Sequence, residues 1–225
     1  MGRMLDLTAA DGHKFGAYRA DPAGKPRGGL VVIQEIFGVN GHIRRVTDGY
    51  AADGYACVAP ALFDRVQRGI ELGYAEADIA KGRDIRQKVS WDMAIADIRA
   101  ALGALSGVGK IGVVGYCWGG TLAWLAATRI PGFAASVSYY GGGIGNFAAE
   151  KPNCPVQMHF GEKDHAIPLT EIDKVRTAQI GRPVEIFIYA PAGHGFNCDE
   201  RGSYEAESAK LARGRALDCL RKNVG

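Results

Sequence analysis

Short apolar runs alternate with longer amphipathic segments along most of this chain. Gly29-Leu-Val-Val-Ile-Gln34, Gly54-Tyr-Ala-Cys-Val-Ala-Pro60, Ile111-Gly-Val-Val114, residues 133–140, Pro155-Val-Gln-Met-His-Phe160 and Pro183-Val-Glu-Ile-Phe-Ile-Tyr189 have the length and apolar density of strands. Runs without polar interruption suit strands covered on both faces, as in a parallel sheet. Between them, residues 41–53, 71–105, the stretch from Thr121 to Pro131, residues 169–180 and residues 203–222 carry a helical period; Trp91, Ile95, Ile98 and Leu102 recur at threes and fours. A break in the long helical stretch is expected near Gly82, where the glycine weakens the helix. Residues 4–20 hold two weaker strands around Asp11-Gly-His13 and predict an antiparallel edge hairpin, followed by a Pro- and Gly-rich loop over 21–28. Residues 61–70 are read as irregular and arginine-bearing. Strands alternating with helices, with no repeat and no long linker, predict one α/β domain over residues 1–225: a doubly wound, mostly parallel sheet flanked by helices, without a lid domain.

Composition narrows the partners. The net charge of +3 comes without a basic run, which argues against nucleic acid. No apolar stretch reaches the length of a membrane span, and Met1-Gly-Arg-Met-Leu-Asp6 lacks a signal-peptide apolar region. Gly2 does not read as a myristoylation site, because Asp6 stands where Ser or Thr is needed. Five irregularly spaced cysteines, at 57, 117, 154, 198 and 219, form neither a disulfide framework nor a zinc ladder, and a reduced, cytoplasmic protein is expected. The absence of H-x-E and C-x-x-C spacing leaves no metal predicted, and no cofactor motif is read.

The candidate chemistry sits after the strands. Gly115-Tyr-Cys117-Trp-Gly119 follows the apolar run 111–114 and opens a helix, the context of a nucleophile elbow with cysteine in the serine's place. Glycines on either side suit a cramped turn in which side chains would collide. Glu35, Asp164 and His194 each follow another strand in a turn, and ligands of open α/β sheets bind beyond the carboxyl ends of strands. Cys117, Asp164 and His194 occur in the chain order nucleophile, acid, histidine. His194 can take the thiol proton, and Asp164 can hold the imidazole tautomer. The Trp118 amide and one from the Glu35–Ile36 turn can receive an oxyanion. Asp173 or Asp199 stands as an alternative acid, His165 is read as a loop residue, and the other four cysteines are read as packing.

Gln34-Glu-Ile-Phe-Gly-Val-Asn40, Gly115-Tyr-Cys-Trp-Gly-Gly120, the Asp164 loop and Gly193-His-Gly-Phe196 together resemble the dienelactone hydrolase (carboxymethylenebutenolidase) family over nearly the whole chain. The resemblance implies a small, lidless α/β-hydrolase, usually monomeric and without a cofactor. It implies a Cys117–His194–Asp164 triad, an oxyanion hole from the backbone amides of Ile36 and Trp118, and a carboxylate at Glu35 that helps form the thiolate when substrate arrives. The family substrate is a dienelactone opened to maleylacetate. Where the family places an arginine on the lactone carboxylate, four residues after the histidine, this chain has Cys198. A second family arginine falls near Ile79, with Arg83 a turn away; Arg83 or Arg201 is the candidate replacement. Tyr139, Tyr140, Phe160 and Phe196 are expected as pocket walls, with packing as the competing account of each, and Phe37 and Arg83 as further substrate-binding residues. The expected activity is therefore cysteine-dependent hydrolysis of a small lactone or ester. A carboxylesterase of neutral esters, a sensing protein that has lost turnover, and a thiol redox protein using Cys117 with Cys198 are the alternatives.

Overall fold

The computed structural model describes residues 2–225. Its contacts gather the chain into two compact units, one running to Gly112 and including Val224, the other running from Val113 to Asn223 and including Gly225.

In the first unit, β1 (Arg3–Thr8) and β2 (Lys14–Ala20) form the expected antiparallel hairpin, in register from Arg3↔Arg19 to Thr8↔Lys14. β2 also pairs antiparallel with β4 (Ala56–Pro60), and β3 (Gly29–Ile33) runs parallel to β4, giving the order β1-β2-β4-β3. Leu30 to Ile33 have no exposed surface, which is why this run carries no polar alternation. Helix α1 (Gly41–Ala52) begins where the Asn40 side chain accepts the Ile43 amide.

The long helical stretch is two helices, α2 (Glu76–Lys88) and α3 (Trp91–Gly103). Their break lies at Val89–Ser90 and not near Gly82, correcting the expectation. Ser90 Oγ caps α3 by accepting the Met93 amide at 3.2 Å. Gly82 lies inside α2, where a Cβ would overlap the Ile36 carbonyl. Close approach of backbone, and not helix breaking, accounts for that glycine. Within residues 61–70, Leu62–Arg65 forms a short 3₁₀ turn.

The strand β5 spans Ile111–Tyr116, and the second unit takes it from Val113. There follow α4 (Trp118–Arg129), β6 (Phe133–Tyr139), β7 (Val156–Gly161), α5 (Leu169–Ala178), β8 (Val184–Tyr189) and α6 (Ala206–Asn223). The strand order is β5-β6-β7-β8, with β6–β7 and β7–β8 parallel. Helix α4 is buried from Trp118 to Ala127, so its sequence is apolar all round. Helix α6 buries one face only: Ser208, Ala209, Ala212, Ala216 and Leu220. The described strands number eight, and this mostly parallel α/β architecture matches the class expected from the apolar runs. No helix among the described residues is long and apolar enough to cross a membrane.

Candidate active site

The turn between β5 and α4 has an unusual backbone. Cys117 adopts φ 56° and ψ −118° and serves as the N-cap of α4. A non-glycine residue in that region costs about 1–3 kcal/mol and persists only where its surroundings impose it. Here they do. The Cys117 amide donates to the Tyr139 carbonyl at 3.0 Å, and the Cys117 carbonyl accepts the Gly120 and Thr121 amides at 2.9 and 3.2 Å. A Cβ on Gly115 would overlap the Gly119 carbonyl, and one on Gly120 would overlap that of Tyr139. Gly115 and Gly120 of the G-x-C-x-G-G motif are therefore needed for chain against chain, not for flexibility. The turn presents a half-buried thiol at the start of a helix, with the Trp118 amide among those the helix directs out of its N-terminus.

His194 and Asp164 meet this thiol. His194 Nε2 lies 3.2 Å from Cys117 Sγ, and His194 Nδ1 lies 2.7 Å from Asp164 Oδ2. The other carboxylate oxygen, Oδ1, accepts the Ala166 amide at 2.8 Å, which fixes the rotation of the acid. The Asp164 side chain is fully buried and that of His194 is 24% exposed. An acceptor-only carboxylate at Nδ1 puts a proton there and turns Nε2 toward the sulfur. Of the alternative acids, Asp173 pairs with Arg176 on the exposed side of α5, and Asp199 is exposed. His165 is an exposed loop residue, as its neighbourhood suggested.

Burial opposes charge on His194, but the sulfur of Cys117 and the carboxylate of Asp164 outweigh it and raise the imidazole from 6.5 to about 10. His194 therefore keeps its proton at neutral pH, between the Cys117 sulfur and the Asp164 side chain. The folded protein holds this proton more tightly than the unfolded chain, so the stabilisation is complete below pH 6.5 and lost as pH rises through about 10. Melting temperatures measured from pH 6.5 to 10 are expected to fall across that window, and His194→Gln is expected to flatten the slope.

Behind the imidazole lies a set of buried rings. Tyr140 packs against His194 with ring centroids 5.2 Å apart and against Phe196 at 5.5 Å. Tyr139 stacks between Tyr116 and His159 at 4.8 and 4.7 Å. Tyr139 and Phe196 have no exposed surface, so the expectation that they wall a pocket is corrected: they support the site from within. His159 was not among the candidates. It is fully buried, with Nε2 2.9 Å from Gln157 Oε1 and Nδ1 2.8 Å from Tyr189 Oη, to which Arg215 also donates. Burial depresses it to about 3, so it remains a neutral structural imidazole. The polar alternation Gln157, His159 inside the apolar run of β7 was the signal that could have found it.

Of the remaining candidates, Glu35, Ile36, Phe37 and Arg83 belong to the first unit, and Cys198 and Arg201 to the second. Glu35 is buried two residues beyond β3. Ile36 is half-buried, with its carbonyl against Gly82. Phe37, expected among the substrate-binding residues, is 1% exposed and packs edge-on against Tyr74 at 4.6 Å, in the core. Arg83 is exposed on α2. Arg201 packs beside Gly195, and Cys198 has no exposed surface.

Parallel strands alternating with helices, a strained strand–helix turn and polar residues after successive strands define an α/β-hydrolase. The profile of the dienelactone hydrolase family matches residues 15–224, and the chain belongs to that family of hydrolases. The carboxymethylenebutenolidase of Pseudomonas putida is 32% identical over 225 residues, covering 96% of this chain and 94% of its own length. A Synechocystis protein provisionally named a carboxymethylenebutenolidase is 36% identical over 197 residues, 80% of either chain. The crystal structure of a Klebsiella pneumoniae protein provisionally named a dienelactone hydrolase superposes with a TM-score of 0.85 at 29% identity, covering 97% of this chain and 98% of that one.

Proposed function

We propose that this chain is a cysteine-dependent hydrolase of small lactones or esters that works through an acyl-enzyme on Cys117. The observation that carries the reading is the single imidazole spanning Cys117 Sγ at 3.2 Å and Asp164 Oδ2 at 2.7 Å. The sulfur attacks the substrate carbonyl, and the Trp118 amide receives the developing oxyanion at the N-terminus of α4. The tetrahedral adduct collapses, breaking the bond to the alkoxy or enol oxygen, and His194 gives that oxygen its proton. In a lactone the leaving oxygen stays tethered to the acyl group. His194, now neutral, takes a proton from water as the water attacks the thioester, and the free acid and the thiolate–imidazolium pair are restored. The roles proposed for Glu35 and for the Ile36 amide rest on the resemblance to the family.

The substrate divides two ways. Family membership supports a dienelactone. The buried thiol of Cys198, at the position where the family carries an arginine, supports a neutral ester instead. Assays with p-nitrophenyl acetate and with a dienelactone separate them: the first reading predicts higher kcat/KM on the lactone, the second on the ester. Equal rates for wild type and Cys117→Ala on both substrates would remove the hydrolase mechanism altogether. The irregular spacing of the five cysteines supports a reducing, cytoplasmic setting, and family resemblance supports a monomer acting on a small molecule.

A further inference from the structure

Among the described residues, two that are not glycine hold a positive φ: Cys117 at 56° and Tyr140 at 38°. Strain of this kind clusters where geometry is part of the mechanism. The two positions are joined. The carbonyl of Tyr139 accepts the Cys117 amide at 3.0 Å, and the next amide, that of Tyr140, donates to the His159 carbonyl at 2.7 Å. The chain at the end of β6 thus holds the nucleophile's backbone on one side. On the other it turns the Tyr140 ring onto His194, with centroids 5.2 Å apart and planes at 62°. Tyr140 is fully buried and packs against Phe196 at 5.5 Å and Tyr116 at 6.4 Å.

We propose that Tyr140 is a positioning residue whose aromatic ring holds the His194 imidazolium between Cys117 and Asp164 and stabilises its charge. A cation held over the face of an aromatic ring, within about 6 Å of its centroid, is attracted by the ring quadrupole, and the 5.2 Å separation lies inside that range. The titratable groups that face His194 are the Cys117 thiol and the Asp164 carboxyl, with Arg201 packed beside Gly195. Cys117 Sγ and Asp164 Oδ2 fix the two ring nitrogens at 3.2 and 2.7 Å. The ring limits its tilt and excludes water from its flank. This inference rests on the role of His194 proposed above.

The test uses Tyr140→Phe and Tyr140→Leu, with Tyr140→Met in place of leucine if that variant does not fold. Three readouts are taken: kcat and KM on p-nitrophenyl acetate, and the pH midpoint of the His194 ring resonances by NMR. With the ring retained in Tyr140→Phe, all three are expected to match wild type. With the ring removed, kcat is expected to fall about tenfold with KM little changed, and the His194 midpoint to move down by about 1 pH unit. An unchanged midpoint in the aliphatic variant overturns the proposal, whatever happens to kcat, because a merely structural residue would lower activity without retuning the imidazole. Equal losses in the phenylalanine and aliphatic variants also overturn it, since they would assign the effect to the hydroxyl. The NMR midpoint needs no turnover. A shifted midpoint in a protein that hydrolyses nothing would uphold the positioning role and sink the hydrolase reading.

Discussion

Cys117→Ala is expected to lower kcat/KM for p-nitrophenyl acetate by about 10⁴-fold or more, the scale on which removing the nucleophile acts in enzymes of this mechanism. The size follows from what remains. Alanine leaves the elbow, the glycine contacts and the α4 N-terminus in place, so substrate still meets an oxyanion donor and a base. Without the sulfur no covalent intermediate forms, and the reaction must proceed by direct attack of water. The backbone cost at φ 56° is shared by both residues, so the fold should persist. Steady-state assays beside thermal melts check this. A variant that melts like wild type yet retains more than a tenth of the activity would show that the sulfur is not the nucleophile. The same substitution removes the largest influence raising His194, so the alkaline fall in melting temperature should shrink with it.

Asp164→Asn is expected to cost about 10⁴-fold in kcat, as the corresponding change does in a serine triad. The mechanism is a tautomer error that the hydrogen bonds make specific. Asp164 Oδ1 must accept the Ala166 amide at 2.8 Å, so asparagine would place its own carbonyl oxygen there. Its NH₂ would then face His194 Nδ1, at the position where Oδ2 now lies 2.7 Å away. Nδ1 becomes the acceptor, the ring proton moves to Nε2, and the nitrogen facing the sulfur can no longer take a proton. Shape and volume hardly change, so KM should move little. The measurement is kcat across pH together with the His194 NMR spectrum. Activity within tenfold of wild type would mean that Asp164 does not orient this imidazole.

The elements that bear on chemistry were the most legible in the chain, and the reason is local. The run 111–114 and the glycines at 115 and 120 are dictated by contacts within a few residues, or by one backbone that must come close. A glycine there announces the crowding it relieves. Asp164 and His194 could be placed because each follows a strand, and a strand's end is a fixed place in a parallel sheet. What failed depended on distant partners. The break between α2 and α3 was put at Gly82 because glycine is a poor helix former. The stop is in fact set by Ser90 capping the next helix, while Gly82 answers to Ile36, far from it in sequence. Phe37, Tyr139 and Phe196 lie next to motif residues, but adjacency along the chain does not say whether a ring turns outward or into the core. The alternation of Gln157 and His159 marks a polar pair inside an apolar strand, but the third member, Tyr189, lies on another strand and shows only in the fold. The strain at Tyr140 leaves no mark in composition, because tyrosine is not a residue chosen for positive φ.

The most direct test of the central claim is intact-protein and peptide mass spectrometry on enzyme quenched during turnover of p-nitrophenyl acetate. A single acetyl group on the peptide containing Cys117, appearing with the burst of p-nitrophenol and vanishing as substrate is exhausted, is the predicted result. Steady hydrolysis with no acyl group at Cys117, or with the acyl group on another residue, would contradict it.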